Sequence, residues 1–126
     1  MREGVASRVK TDLISAELRH LAATPGVSVC ALVDSQTGMV WLSEGEQAGL
    51  ESLVEAARDY WRVHQRHGNA FGPLGPVLGL SVLHESSLVN VAPCGVELLL
   101  VTVAERGRVR FGSWSGRLVL LRSLLR

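Results

Sequence analysis

The sequence predicts an α+β domain built as a helix, a strand hairpin, a long helix, three further strands and a short closing helix. Three observations predict it. The stretch PGVSVCALVDSQTGMVW, from Pro25 to Trp41, reads as two apolar runs around a short turn. A long amphipathic helical pattern follows it at once. Three short apolar segments then lie between Val77 and Ala104, punctuated by turn residues. The 126 residues fit one domain, 1–126, long enough to bury a core without disulfide or metal staples.

Residues Val5 to Ala23 carry Val9, Leu13, Ile14, Leu18, Leu21 and Ala22 at helical spacing, which predicts a helix with a broad apolar stripe. Thr24-Pro25-Gly26 ends it, because Pro disfavours helix at the residue before it and Gly supplies the turn. Val27 to Val33 predicts a buried strand. Asp34 to Gly38 predicts a turn that the aspartate caps and the glycine closes with positive φ. Met39 to Leu42 is the returning strand. So short a connection allows only an antiparallel pair.

Ser43 precedes Glu46 by three residues, a spacing that predicts a capping box opening the long helix. The helix is expected to run to about His67, where Gly68-Asn69 stops it, giving a length of about 35 Å. Leu50, Leu53, Val54, Ala57, Trp61 and His64 form its apolar face. Glu51, Glu55, Arg58, Asp59, Arg62 and Arg66 form an exposed charged face, acids leading and arginines trailing as the helix dipole favours. Asn69 to Pro76 (NAFGPLGP) is expected to be a loop. The strands Val77–Leu83, Ser87–Ala92 and Val96–Ala104 follow, the last the most apolar and so the most central. Ser113 or Ser115 is expected to cap a final helix, Gly116 to Arg126, with Leu118, Leu121 and Leu125 inward.

Composition narrows the function classes. The chain is nearly neutral, with 13 basic and 12 acidic residues. Its mean hydropathy of +0.22 is high for a small domain and points to apolar surface covered by a second subunit. Six arginines (Arg106, Arg108, Arg110, Arg117, Arg122 and Arg126) follow Glu105, the last acid. With Phe111 and Trp114 they form a candidate nucleic-acid surface, weakened by the scarcity of aromatics. The N-terminus lacks an apolar leader segment, and no run is long enough to span a bilayer, so a cytoplasmic protein without membrane insertion is expected.

Candidate chemistry is sparse. Cys30 and Cys94 fit no metal spacing; Cys30 reads as buried and inert, Cys94 as an exposed turn residue. His64 and His67 lack the further ligands a zinc site needs. There is no P-loop and no nucleophile elbow. No catalytic, cofactor or metal site is expected, and the protein reads as a non-enzyme. Tyr60, Trp61 and the arginines of the long helix are of the types that anchor interfaces. Trp61 by itself reads as a core residue.

The residues Pro25-Gly26-Val27, Ala31-Leu32-Val33-Asp34 and Thr37-Gly38 resemble the Roadblock / dynein light chain seven family, including bacterial members that regulate small Ras-like GTPases. Val89-x-Val91-x-Pro93, Leu98-Leu99-Leu100-Val101 and the closing Arg/Leu helix follow in the same order. The loop NAFGPLGP and the bulky GSWSG before the last helix depart from that pattern. The resemblance implies a profilin/Roadblock-like α-β-β-α-β-β-β-α fold, a five-stranded antiparallel sheet with the long helix on one face and the terminal helices on the other. It implies a homodimer joined edge to edge through Val77–Leu83, with the long helices side by side. It implies a non-enzymatic signalling scaffold or regulator of a small GTPase. The expected partner or dimer interface is Glu51, Glu55, Arg58, Asp59, Tyr60, Arg62, Arg66, Leu78, Leu80 and Val82. The alternatives are a small-molecule sensor on a profilin/PAS-like sheet and, more weakly, a nucleic-acid-associated module.

Overall fold

The computed structural model describes residues 2–109 and 114–125. Arg110, Phe111, Ser113 and Arg126, which the sequence reading used, lie outside the described residues. The elements run α1 (Arg2–Ala22), β1 (Val27–Asp34), β2 (Val40–Gly45), α2 (Leu50–Arg66), α3 (Gly68–Phe71), β3 (Leu80–Leu83), β4 (Ser87–Pro93), β5 (Leu98–Glu105) and α4 (Trp114–Leu124). The five strands form one antiparallel sheet in the order β2-β1-β5-β4-β3. The α+β architecture, the element order and the single sheet are as expected.

Strand alternation divides the core into two layers, since successive side chains point to opposite faces. Val29, Ala31 and Val33 of β1, with Leu99, Val101 and Val103 of β5, pack under Val54, Ala57 and Trp61 of α2. Cys30, Leu32 and Leu100 face the other way, onto Ile14, Leu18 and Leu21 of α1 and Leu118 and Leu121 of α4. The middle strands β1 and β5 are therefore buried on both faces and read as continuous apolar runs. Each fully buried Leu or Val in these layers contributes about 1.5–3 kcal/mol.

The hairpin turn forms as its residues predict. One carboxylate oxygen of Asp34 accepts the backbone N–H of Gln36 at 2.8 Å and of Thr37 at 2.9 Å. Gly38 has φ +78°. The Thr37 and Gln36 amides hold the Asp34 carboxyl below its ordinary pKa. A depressed carboxylate stabilises the fold above its unfolded value of about 3.9, and that stability is lost as pH falls through the folded value. Asp34→Asn is expected to lower stability at neutral pH. The gap to wild type should close below about pH 4, as chemical denaturation across pH would show.

Several boundaries differ from the sequence reading. Ser43 and Glu46 do not cap α2. Ser43 pairs with Ala31 and Glu44 with Cys30 in the sheet, and Glu44 also lies 3.7 Å from Arg19. The ladder draws Ser43 and its neighbours into β2, so α2 starts at Leu50, behind Gly49 in the left-handed conformation. At 17 residues it is about 25 Å long, shorter than expected. Gly45 explains the extension of β2: at φ +97° a Cβ there would collide with the Ser28 carbonyl, so only glycine lets the chain leave the ladder so close to β1.

The segment expected to be a loop holds α3 and a 3₁₀ turn, Gly72–Leu74. It folds back because Phe71 stacks on His64, with ring centroids 4.7 Å apart. Strand β3 is shorter than Val77–Leu83. The last helix begins at Trp114 rather than Gly116. Cys94 is buried, not exposed, and burial pushes its thiol up to about 11 and that of Cys30 to about 12. In α1, Val9 and Leu13 stand half exposed while Ile14, Leu18 and Leu21 are buried.

Candidate interaction surface

Helix α2 has one buried face and two exposed flanks of different chemistry. At about 100° per residue, Leu53, Ala56, Tyr60 and Val63 fall on one flank, and Glu51, Glu55, Asp59, Arg62 and Arg66 on the other. The tertiary contacts orient them. Leu53, Ala56 and Tyr60 line a groove of about 380 Å³ with His84, Ser87 and Val89, on the side of β4 and the β3–β4 turn. Glu51, Glu55 and Arg58 line a second groove with Thr37, Gly38 and Met39, on the side of the β1–β2 turn. The apolar flank thus looks toward the β3 edge and the charged flank away from it.

Arg58 does not belong to the exposed charged surface. Only 8% of it is accessible. It donates from one terminal nitrogen to the Gln36 carbonyl at 2.8 Å, and its inner nitrogen lies against Gly38, where a side chain would stand 2.9 Å from it. Arg62 donates to the same carbonyl at 3.3 Å and lies 3.9 Å from Asp59, yet remains half exposed. Arg58 is therefore a strut that fastens the hairpin turn to α2. The sequence shows its charge but not the carbonyl that captures it, because Gln36 offers a backbone atom.

The remaining expected interface residues separate as well. Glu51, Glu55, Asp59 and Arg66 are exposed on the charged flank. Tyr60 is 42% exposed on the apolar flank, beside Val63 at 46%. Leu80 and Val82 stand opposite Val91 and Val89 of β4, so they share the α2 face of the sheet. Leu78 lies outside β3, 74% exposed, and borders a groove with Trp114, Leu118 and Arg122 on the opposite face. The structure therefore does not unite Leu78 with Leu80 and Val82. The sequence reading missed Leu53, Ala56 and Val63 as a unit with Tyr60, although spacings of three and four residues carried that signal.

Four of the late arginines are engaged within the chain. Arg106 donates to the His84 carbonyl at 3.1 Å, and Arg108 pairs with Glu105 at 3.7 Å. Arg117 pairs with Glu17 at 3.3 Å, and Arg122 donates to the Pro93 carbonyl at 3.1 Å. They point in several directions and do not make one basic stripe. Among the described residues no three His, Cys, Asp or Glu side chains gather where they could hold a metal ion, and no helix is long and apolar enough to cross a membrane.

Comparison with solved structures gives the same architecture. A Roadblock/LC7 domain from Streptomyces avermitilis superposes with a TM-score of 0.71 at 19% identity, covering 89% of this chain and 91% of that one. The gliding protein MglB from Thermus thermophilus gives 0.75 at 16% identity, with 92% and 87% covered. MglB from Myxococcus xanthus gives 0.66 at 17% identity, with 89% and 90% covered. No protein-family model matches the sequence, and no curated protein matches it. The likeness carries the fold.

Proposed function

We propose that this chain, which has the Roadblock/LC7 fold, acts as a homodimeric, non-catalytic regulator or adaptor of a small Ras-like GTPase. The observation that carries this reading is the open edge of β3 beside the apolar flank of α2. Strand β3 ends the sheet, and an unpaired edge is a template for another strand. A two-fold axis beside that edge would join β3 to its copy antiparallel and set Ala56, Tyr60 and Val63 of two α2 helices against each other. Leu80 and Val82 would then lie beneath that seam.

The exposed side chains support the same reading: Tyr60 and Val63 stand 42% and 46% exposed on the flank of α2 that looks toward the β3 edge, apolar surface that a second copy would cover. Pairing at β3 leaves the outward charged flank of α2 (Glu51, Glu55, Asp59, Arg62 and Arg66) outside the dimer seam.

Light scattering at micromolar concentration should give the mass of a dimer or a multiple of it. Ser81→Pro with Tyr60→Glu should give half the dimer mass without loss of helical circular dichroism, because the Ser81 N–H points away from β4, whereas Val82 sits in a hydrogen-bonded pair with Val89. Where a gene for a Ras-like GTPase adjoins its own, the purified chain should also bind that GTPase and change its rate of GTP hydrolysis. A monomeric wild type would overturn the dimer; an unchanged hydrolysis rate with no complex would overturn the GTPase role.

A further inference from the structure

We propose that the charged flank of α2 is a second self-association surface, on which two copies of this chain lie helix against helix and antiparallel. This goes beyond the β3 dimer and uses the opposite side of the helix.

The charges on that flank form an inverted sequence. Glu55 stands three residues before Arg58, and Arg62 three residues after Asp59. Glu51 stands seven residues before Arg58, and Arg66 seven after Asp59. A two-fold axis passing between Arg58 and Asp59 therefore sets Glu51 against the partner's Arg66 and Glu55 against the partner's Arg62. The symmetry repeats both pairs. An isologous interface requires this property, that residue i meets j while j meets i. The four exposed charges fall within an arc of about 60° and span about 22 Å of helix.

The pattern is poorly suited to a lone helix. Glu51–Glu55, Glu55–Asp59, Arg58–Arg62 and Arg62–Arg66 are all like-charged pairs four residues apart, and such pairs repel. The helix dipole accounts for Glu51 in the first turn and Arg66 in the last, but its effect fades before Glu55 and Arg62. Among the described residues the side chains of Glu51, Glu55 and Arg66 have no hydrogen-bond or ion-pair partner. An antiparallel copy supplies the missing opposite charges. The strut Arg58 lies at the centre, below the contact, and holds the flank against the hairpin turn.

Sedimentation of the full chain tests this. Screening shortens from about 30 Å at 0.01 M salt to about 3 Å at 1 M. Wild type should form species larger than the β3 dimer at low salt, with the association weakening about tenfold or more at high salt as the four pairs are screened. Glu51→Lys with Glu55→Lys, and separately Arg62→Glu with Arg66→Glu, should each stop at the β3 dimer. Mixing these two variants should restore the larger species as a heteromer. The fourfold variant, in which the signs are exchanged, should restore it alone. The proposal is overturned if wild-type association beyond the dimer is absent or insensitive to salt. It is equally overturned if the double variants associate like wild type, or if neither the mixture nor the fourfold variant regains assembly. A salt-sensitive dimer that survives Ser81→Pro with Tyr60→Glu would support this surface while removing the β3 dimer, so the two readings fail separately.

Discussion

Trp61→Ala is expected to lower the unfolding free energy by about 3–5 kcal/mol, the range for deleting a large buried aromatic. The indole is nearly fully buried between α2 and the sheet, in the layer with Val29, Val91 and Val101. No neighbour is placed to fill the space, because β1 and β5 are pinned by strands on both sides and can move little. The loss reaches further than the cavity. His64 stacks over Trp61 with centroids 6.2 Å apart, and Phe71 stacks on His64. Removing the indole takes away one face of that stack. The segment from Gly68 to Leu74, which buries no side chain fully, should then exchange its amides faster than it does in wild type. Urea denaturation would measure the first effect and hydrogen exchange the second. Trp61→Phe should recover most of the stability, because it keeps an aromatic surface in the same place.

What the sequence disclosed follows from how local each signal is. The hairpin was legible because Asp34 and Gly38 act on their own neighbours, and the two-layer core because alternation in β1 and β5 is a period of two. The start of α2 was misread because Ser43 and Glu46 satisfy a local capping pattern, while the competing sheet pairing depends on Ala31 and Cys30, more than ten residues away. The fold of Gly68–Leu74 escaped notice because it depends on one aromatic contact rather than on propensity. The residues of the two flanks were legible as types but not as two surfaces. Which flank adjoins β3 is decided by the position of α2 over the sheet, and no single helix encodes that.

Reversing the charge at Arg58 should destabilise the whole domain rather than probe an interface. Arg58→Glu would replace a donor with a buried acceptor facing the Gln36 carbonyl. It would also place a second negative charge near Asp34, whose carboxylate Arg58 now favours. An uncompensated buried charge costs about 3–5 kcal/mol. The hairpin turn would lose its anchor to α2, leaving only the longer bond from Arg62 at 3.3 Å. Arg62→Glu, at a half-exposed site, should cost less than about 1 kcal/mol in stability. Thermal melts of the two variants should therefore differ by several degrees or more, with Arg58→Glu the lower. Arg58→Lys separates the strut from its charge. Lysine keeps the charge but has a single nitrogen and no planar fork to lie against Gly38, so an intermediate stability is expected. If Arg58→Glu instead melted with wild type, the arginine would have to be solvent-exposed, contrary to its 8% accessibility. The consequence for function is direct: effects of Arg62 and Arg66 variants on assembly or partner binding report on the charged flank, whereas effects of Arg58 variants report on whether that flank is held in place at all.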